Sequence, residues 1–386
     1  MRSRLHTRPP ERLHLYVLDG RGDAALDSFA AVAHCGCVVR PTESERLERL
    51  LRRLVDDLDR RSLGGGPSPE VLLLVDGIEA VRAALSPVDR TDSAVMLDRI
   101  LQEGPAAGIV TCATTDGSSA AVLATVSGER WIHHVDDPAI ARAVGLTSVP
   151  ARVTGRLCVA PTGLDAQVVL DPDGFTGLPE RRVDVGPPGI GVLPAVIDPD
   201  ELAVASSDHD LIVGLAADDL APAALRVPDG DHMFVGGAAA TGKTTALRQL
   251  AAAWAATHPG GTVVWIDRRR PLATSPGAPA LIVVDDADRI DDPHAELAAV
   301  IAGRRPGVTI AAAARPEAVR AAYGHWVRDV ARSRCGLVLT GPGDVDGELL
   351  GATLPRRSVI PARPGLAWVI DGRGHRLVQV AARMPS

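Results

Sequence analysis

The run Gly237-Ala238-Ala239-Ala240-Thr241-Gly242-Lys243-Thr244 fits G-x-x-x-x-G-K-[ST] at every fixed position. An apolar stretch, Met233-Phe234-Val235, precedes it. Behind it, Thr245 to Thr257 is rich in Ala and Leu, residues of good helix propensity. Strand, glycine loop and helix in that order aim backbone N–H groups and a helix N-terminus at one point, where phosphate oxygens are stabilised. A chain built on this unit is expected to form a mostly parallel α/β sheet flanked by helices. The pattern assigns Lys243 to the β- and γ-phosphates and the Thr244 hydroxyl to Mg²⁺, with Thr245 capping the first turn or meeting the α-phosphate. The expected ligands are ATP and Mg²⁺, cradled by Gly237, Ala238, Ala239, Ala240, Thr241, Gly242, Lys243, Thr244 and Thr245.

Composition sharpens this assignment. Of 41 lysines and arginines, Lys243 is the single lysine. A chain that uses arginine everywhere else keeps a compact, flexible ammonium where a planar guanidinium does not substitute.

The stretch Ala280-Leu281-Ile282-Val283-Val284 reads as a buried strand ending in Asp285-Asp286. In P-loop enzymes such a strand brings one carboxylate to the metal shell and another near the attacking water. Asp285 is the expected metal-shell residue, and Asp286 the candidate catalytic group that orients or deprotonates water. Asp288, Asp291 and Asp292 read as a solvated helix start.

The chain also repeats itself at an offset of about 210 residues. Val71 to Gly77 mirrors Leu281 to Asp286, with Asp76 opposite Asp285. Pro150-Ala151-Arg152 mirrors Pro361-Ala362-Arg363, Gly155 mirrors Gly365, and Ala166 to Val169 mirrors Val378 to Ala381. Leu15 to Asp19 likewise resembles Val263 to Asp267, the strand after the P-loop helix. The P-loop of copy one would therefore lie upstream of Met1, and copy one has Gly77 where copy two has Asp286. It is not expected to bind and hydrolyse ATP by itself. Copy two is shortened elsewhere: 18 positions separate Asp267 from Asp285, against 57 between Asp19 and Asp76. The extra segment of copy one holds a helix, with Thr42 and Glu45 as a capping box and Leu47, Leu50, Leu51 and Leu54 on one apolar face. The next strand also differs. Its polar tip, Thr114-Thr115 in copy one, is alanine in copy two (Ala311 to Ala314), where Arg315 is the nearest polar replacement.

These readings give domains at 1–170 and 201–386, joined by a Pro-, Gly- and Asp-rich linker at 171–200, with Leu211 to Pro228 leading into the second domain. The fold class expected is two RecA-like P-loop α/β domains in tandem, the first N-terminally truncated. No apolar run approaches the ~20 residues of a membrane helix. A net charge of −7 argues against a broadly basic, nucleic-acid-coating surface. Cys35, Cys37, Cys112, Cys158 and Cys335 read as reduced thiols of a cytosolic protein, and His133-His134 as strand residues.

The motifs together resemble the FtsK/SpoIIIE superfamily of P-loop motors across nearly the whole chain. The resemblance rests on Leu13 to Asp19, the Asp76 strand, Gly237 to Thr244 and Asp285-Asp286. It continues through Tyr323-Gly324-His325-Trp326, Asp346 to Gly351, Leu354-Pro355-Arg356-Arg357 and Pro364-Gly365. Tandem motor domains in one chain look like the ATPases of type VII secretion, the EccC group. That resemblance implies trailing domains that bind nucleotide, a secreted protein as cargo, membership of a larger motor assembly or homo-oligomer, and a cytoplasmic place reached at the membrane only through a partner. Two alternatives stay open: an ATP-driven DNA translocase, with Arg268-Arg269-Arg270 as the local basic candidate, and a non-catalytic nucleotide-binding scaffold. Arg156, Arg332 and Arg334 are the candidate arginine fingers.

Overall fold

The computed structural model describes residues 2–64, 68–86, 91–146, 148–169, 177–180, 186–202, 207–341, 347–355 and 358–383. Asp346, Arg356 and Arg357 lie outside the described residues, as do 171–176 and 181–185 of the linker segment. The chain divides into two compact units, Met1–Gly191 and Val192–Ser386. The rest of the linker segment is docked. Ile190 is buried in the first unit, where Arg46 Nε donates to its carbonyl at 2.9 Å. Leu193 and Ile197 are buried in the second, where Arg363 Nη2 donates to the Leu193 carbonyl at 2.9 Å.

In the first unit β1 (Leu13–Asp19), β2 (Cys35–Val39), β3 (Glu70–Asp76) and β4 (Ile109–Ala113) form a parallel sheet in the order β2-β1-β3-β4. Val71 to Val75 are all buried, the continuous apolar run expected of a strand covered on both faces. The helix Ser44–Ser62 covers one face with Leu47, Leu50, Leu51 and Leu54, each at most 1% exposed. Its predicted capping box does not form. The N-cap is Glu43, without a side-chain cap bond, and Glu45 pairs with Arg49 at 2.7 Å instead. A separate antiparallel sheet holds β5 (Arg130–Ile132), β6 (Arg156–Ala160) and β7 (Leu164–Gln167). His133 and His134 fall just past β5, outside the strand.

The described strands of the second unit form one nine-stranded sheet. Its strands are β8 (Asp210–Ala216), β9 (Pro222–Arg226), β10 (Met233–Gly236), β11 (Thr262–Ile266), β12 (Ala280–Val284), β13 (Val308–Ala314), β14 (Gly336–Leu339), β15 (Leu366–Asp371) and β16 (Gly374–Val380), in the order β11-β12-β13-β10-β14-β15-β16-β8-β9. From β11 to β14 the strands are parallel; from β14 to β9 every pairing is antiparallel. The expectation of a mostly parallel sheet thus holds only for its P-loop half, because the C-terminal hairpin and the β8–β9 hairpin have turns too short for crossovers. Pro316–Ala321 and Val327–Ala331 are two short helices with a break between them. Gly324, at φ +73°, lies in the break, where a left-handed residue ends a helix.

The duplication is visible atom by atom. Gly155 and Gly365 both take positive φ, +77° and +79°, before β6 and β15. Gln167 Nε2 donates to the Thr154 carbonyl at 2.9 Å, and Gln379 Nε2 to the Pro364 carbonyl at 3.0 Å. Asp19 Oδ1 accepts from the N–H of Gly22 and Asp23; Asp267 Oδ1 accepts from those of Arg269 and Arg270. The copies differ at the centre. In copy two, β10 pairs with β13 on one side and β14 on the other. Their counterparts in copy one, β4 and β5, belong to different sheets, because among the described residues no strand stands between them. Copy two in turn has no counterpart of β2 or of the helix Ser44–Ser62 between β11 and β12.

Candidate functional site

The loop Gly237–Gly242 leaves β10 and feeds the helix Lys243–Thr257. Gly242 is the N-cap at φ +103°, a conformation that side chains rarely adopt, and it brings the first helical N–H groups round to face the loop. Thr241 Oγ1 and Lys243 Nζ donate to the Ala238 carbonyl at 2.9 and 2.8 Å, tying the loop across itself. From the other side, the Gly365 N–H donates to the Thr241 carbonyl at 3.1 Å. Gln379, 2% exposed, holds that turn through Pro364. The C-terminal hairpin therefore buttresses the loop, a role the repeat of Gly and Gln in both copies was the only sequence sign of.

The acidic strand meets the loop at Thr244. Thr244 Oγ1 donates to Asp285 Oδ2 at 2.5 Å. Lys243, Thr244, Thr245, Asp285 and Asp286, with Ala239, Ala240 and Gly242, border one cavity of about 500 Å³. The oxygen donors of Thr244 and Asp285 suit a hard divalent cation such as Mg²⁺, which takes one or two protein oxygens alongside phosphates. The helix N-terminus and Lys243 suit the phosphates themselves. The residues present thus fit both groups. Gly237, Ala238 and Thr241 shape the loop rather than border the cavity.

Asp286 takes the left-handed region, φ +48°, and its side chain is 60% exposed, with Arg289 Nη1 3.9 Å from Oδ2. Asp288 departs from the expected solvated helix start. It sits in the short 3₁₀ turn Ala287–Arg289 with a side chain 4% exposed, because Arg315 Nη2 reaches its Oδ2 at 3.3 Å. Arg289 and Arg315 both border the cavity. Arg289 was not singled out in the sequence, since a lone arginine in a turn carries no pattern.

Copy one arranges the equivalent position differently. Thr114 Oγ1 donates to Asp76 Oδ1 at 2.6 Å, and Arg21 Nε lies 4.0 Å from Asp76 Oδ2. An arginine and a threonine thus face the carboxylate that in copy two faces Thr244. Gly77, at φ +65°, occupies the left-handed position that Asp286 takes in copy two. The candidate fingers lie elsewhere: Arg156 opens β6, Arg332 pairs with Asp329 at 2.5 Å, and Arg334 packs by Gly351.

Comparison with known proteins agrees with the repeat. Residues 210–325 match a family model described as Novel STAND NTPase 5. The ESX-3 secretion system protein EccC3 of Mycobacterium tuberculosis is 26% identical over 372 residues, with 86% of this chain and 27% of that protein covered. The chain thus spans about a quarter of that relative's length. Among solved structures, EccC of Thermomonospora curvata (ATPases 2 and 3, in complex with a signal sequence peptide) superposes with a TM-score of 0.63. It is 19% identical over 100% of this chain and 85% of that one. EssC of Geobacillus thermodenitrificans (ATPases 2 and 3) reaches 0.69 at 15% identity, with 99% and 87% covered. The fold is that of two ATPase domains in tandem, and the chain resembles the EccC-type ATPases of type VII secretion in both sequence and fold.

Proposed function

We propose that the second unit binds Mg-ATP and that the chain is an ATP-binding module of a type VII secretion-like export assembly. The observation that carries the nucleotide reading is the Thr244–Asp285 hydrogen bond at 2.5 Å, closing a cavity between the P-loop and the acidic strand. In this reading Lys243 and the first N–H groups of its helix neutralise and orient the phosphates. Thr244 and Asp285 hold the metal, which when bound draws charge off the phosphate oxygens. Asp286, exposed at the cavity mouth, is the group placed to orient or accept a proton from water.

The export reading is supported by the similarity to EccC3 and to EccC and EssC, one of which was solved with a signal sequence peptide. On that basis the cargo is a secreted protein, and the work is done in a larger motor assembly on the cytoplasmic side. Among the described residues no helix is long and apolar enough to cross a membrane. One feature favours a binding rather than a hydrolysing module: Ala311 to Ala314, all fully buried, leave the tip of β13 without a polar group beside the nucleotide.

Steady-state ATP turnover of the full chain, with and without duplex DNA and with Lys243→Ala as control, tests these readings. Lys243-dependent nucleotide binding with little turnover is the expected result. Turnover that rises with DNA and vanishes in Lys243→Ala would overturn the export reading and make Arg268 to Arg270, an exposed turn, the place to look for phosphate contacts.

A further inference from the structure

We propose that Arg315 reads the third phosphate and that Asp288 holds it in readiness, so that the site distinguishes a nucleoside triphosphate from a diphosphate; this rests on the cavity being a nucleotide site. Arg315 follows Ala314 directly. In the sheet Ala314 lies beside Gly236 and Ala312 beside Val284. Arg315 therefore emerges between the first residue of the P-loop and the Asp285-Asp286 pair, and it borders the same cavity as Lys243 and Thr244.

The strand before it is packed on both faces and ends without a polar side chain. Ala311 and Ala313 form one core with Ala246, Leu247 and Leu250 of the P-loop helix, and Ala312 and Ala314 face the opposite core. Ala313 stands where copy one has Thr114, whose hydroxyl bonds to Asp76, and alanine offers no hydroxyl there. Arg315, two residues further on, is the first polar side chain after the strand and borders the cavity.

Its partner is poised to let go. The Asp288 side chain is 4% exposed, yet among the described residues its Oδ1 has no hydrogen-bond partner. The Arg315 Nη2 contact to Oδ2, at 3.3 Å, is longer than the 2.7–2.9 Å of a strong charge-assisted bond. A guanidinium carries five donors, and this one, 42% exposed, commits a single one to Asp288. The rest remain for a planar, bidentate grip on a phosphate.

The test is titration of the full chain with Mg-ADP and with a non-hydrolysable Mg-ATP analogue, by calorimetry, for wild type, Arg315→Ala, Arg315→Met and Asp288→Asn. Loss of a charge-assisted phosphate contact should weaken the triphosphate roughly tenfold or more in both Arg315 variants, with diphosphate affinity within about twofold of wild type. Asp288→Asn should keep or strengthen triphosphate binding. A triphosphate-to-diphosphate ratio unchanged in Arg315→Ala and Arg315→Met would overturn the inference. If wild type binds neither nucleotide in a Lys243-dependent way, the nucleotide reading itself has failed, and the inference with it.

Discussion

Lys243 is the residue on which the chemistry turns. Its ammonium has no substitute in a chain that otherwise carries arginine. Lys243→Ala should weaken nucleotide binding by more than tenfold while leaving the fold intact, checked by calorimetry alongside circular dichroism. Asp286 invites the opposite experiment. A non-glycine residue at φ +48° costs roughly 1 kcal/mol, less for aspartate than for most, and copy one has glycine at that place. Asp286→Gly should therefore leave stability unchanged or slightly raised and spare nucleotide binding. Any hydrolysis the chain performs should fall. A marked loss of stability would mean that the carboxylate is structural. His232 gives a pH test. Buried, with Nδ1 accepting from the Ile310 N–H at 3.3 Å, it is held neutral, and burial lowers its pKa from 6.5 to about 4. The unfolded chain takes up this proton near pH 6.5 and the folded chain only near pH 4. Its stabilising contribution is thus full above pH 6.5 and drains away as pH falls toward 4. Between pH 7 and 5 the loss should be on the order of 2 kcal/mol, seen in urea unfolding and flattened in His232→Phe.

Among the elements, the helix Ser44–Ser62 and the C-terminal hairpin β15–β16 do opposite kinds of work. The helix builds the core of the first unit: Leu50 and Leu51 are fully buried beside residues of β1 and β3. Leu51→Ala should cost about 2–5 kcal/mol in the first unit and leave nucleotide affinity of the second unchanged. The hairpin works for the site, through Gln379, Pro364 and the Gly365 bond to Thr241. The helix was legible in the sequence because its leucines recur at helical spacing. Its start was not, because Thr42 and Glu45 have capping-box spacing while the backbone enters the helix one residue later, at Glu43. The hairpin's role was hidden because Gln379 and Thr241 are far apart in the chain, and periodicity reports only which face of an element is covered.

For the molecule as a whole, the split sheet of the first unit has a consequence in solution. Trp131, Leu164 and Val169 around the small sheet are 62%, 64% and 84% exposed, and among the described residues β5 and β7 each pair on one side only. Open edges beside exposed apolar side chains favour association. Sedimentation velocity should show concentration-dependent self-association, reduced in a Trp131→Arg/Leu164→Arg double variant. A monomer at all concentrations would count against it. The sequence by itself determined the local units: the strands that end in Asp76 and Asp285, the glycine loop before Lys243, and the duplication that relates them. The first two are set by apolar period and a glycine's dihedral freedom, which act between near neighbours, and the third is read directly by comparing the chain with itself. Only the tertiary structure decided that β8 and β9 extend the second sheet, that the Asp288 side chain is covered and paired with Arg315, and that Gly365 braces the P-loop. Those outcomes depend on which distant segments share a core, where burial turns an ordinary aspartate or arginine into part of a site.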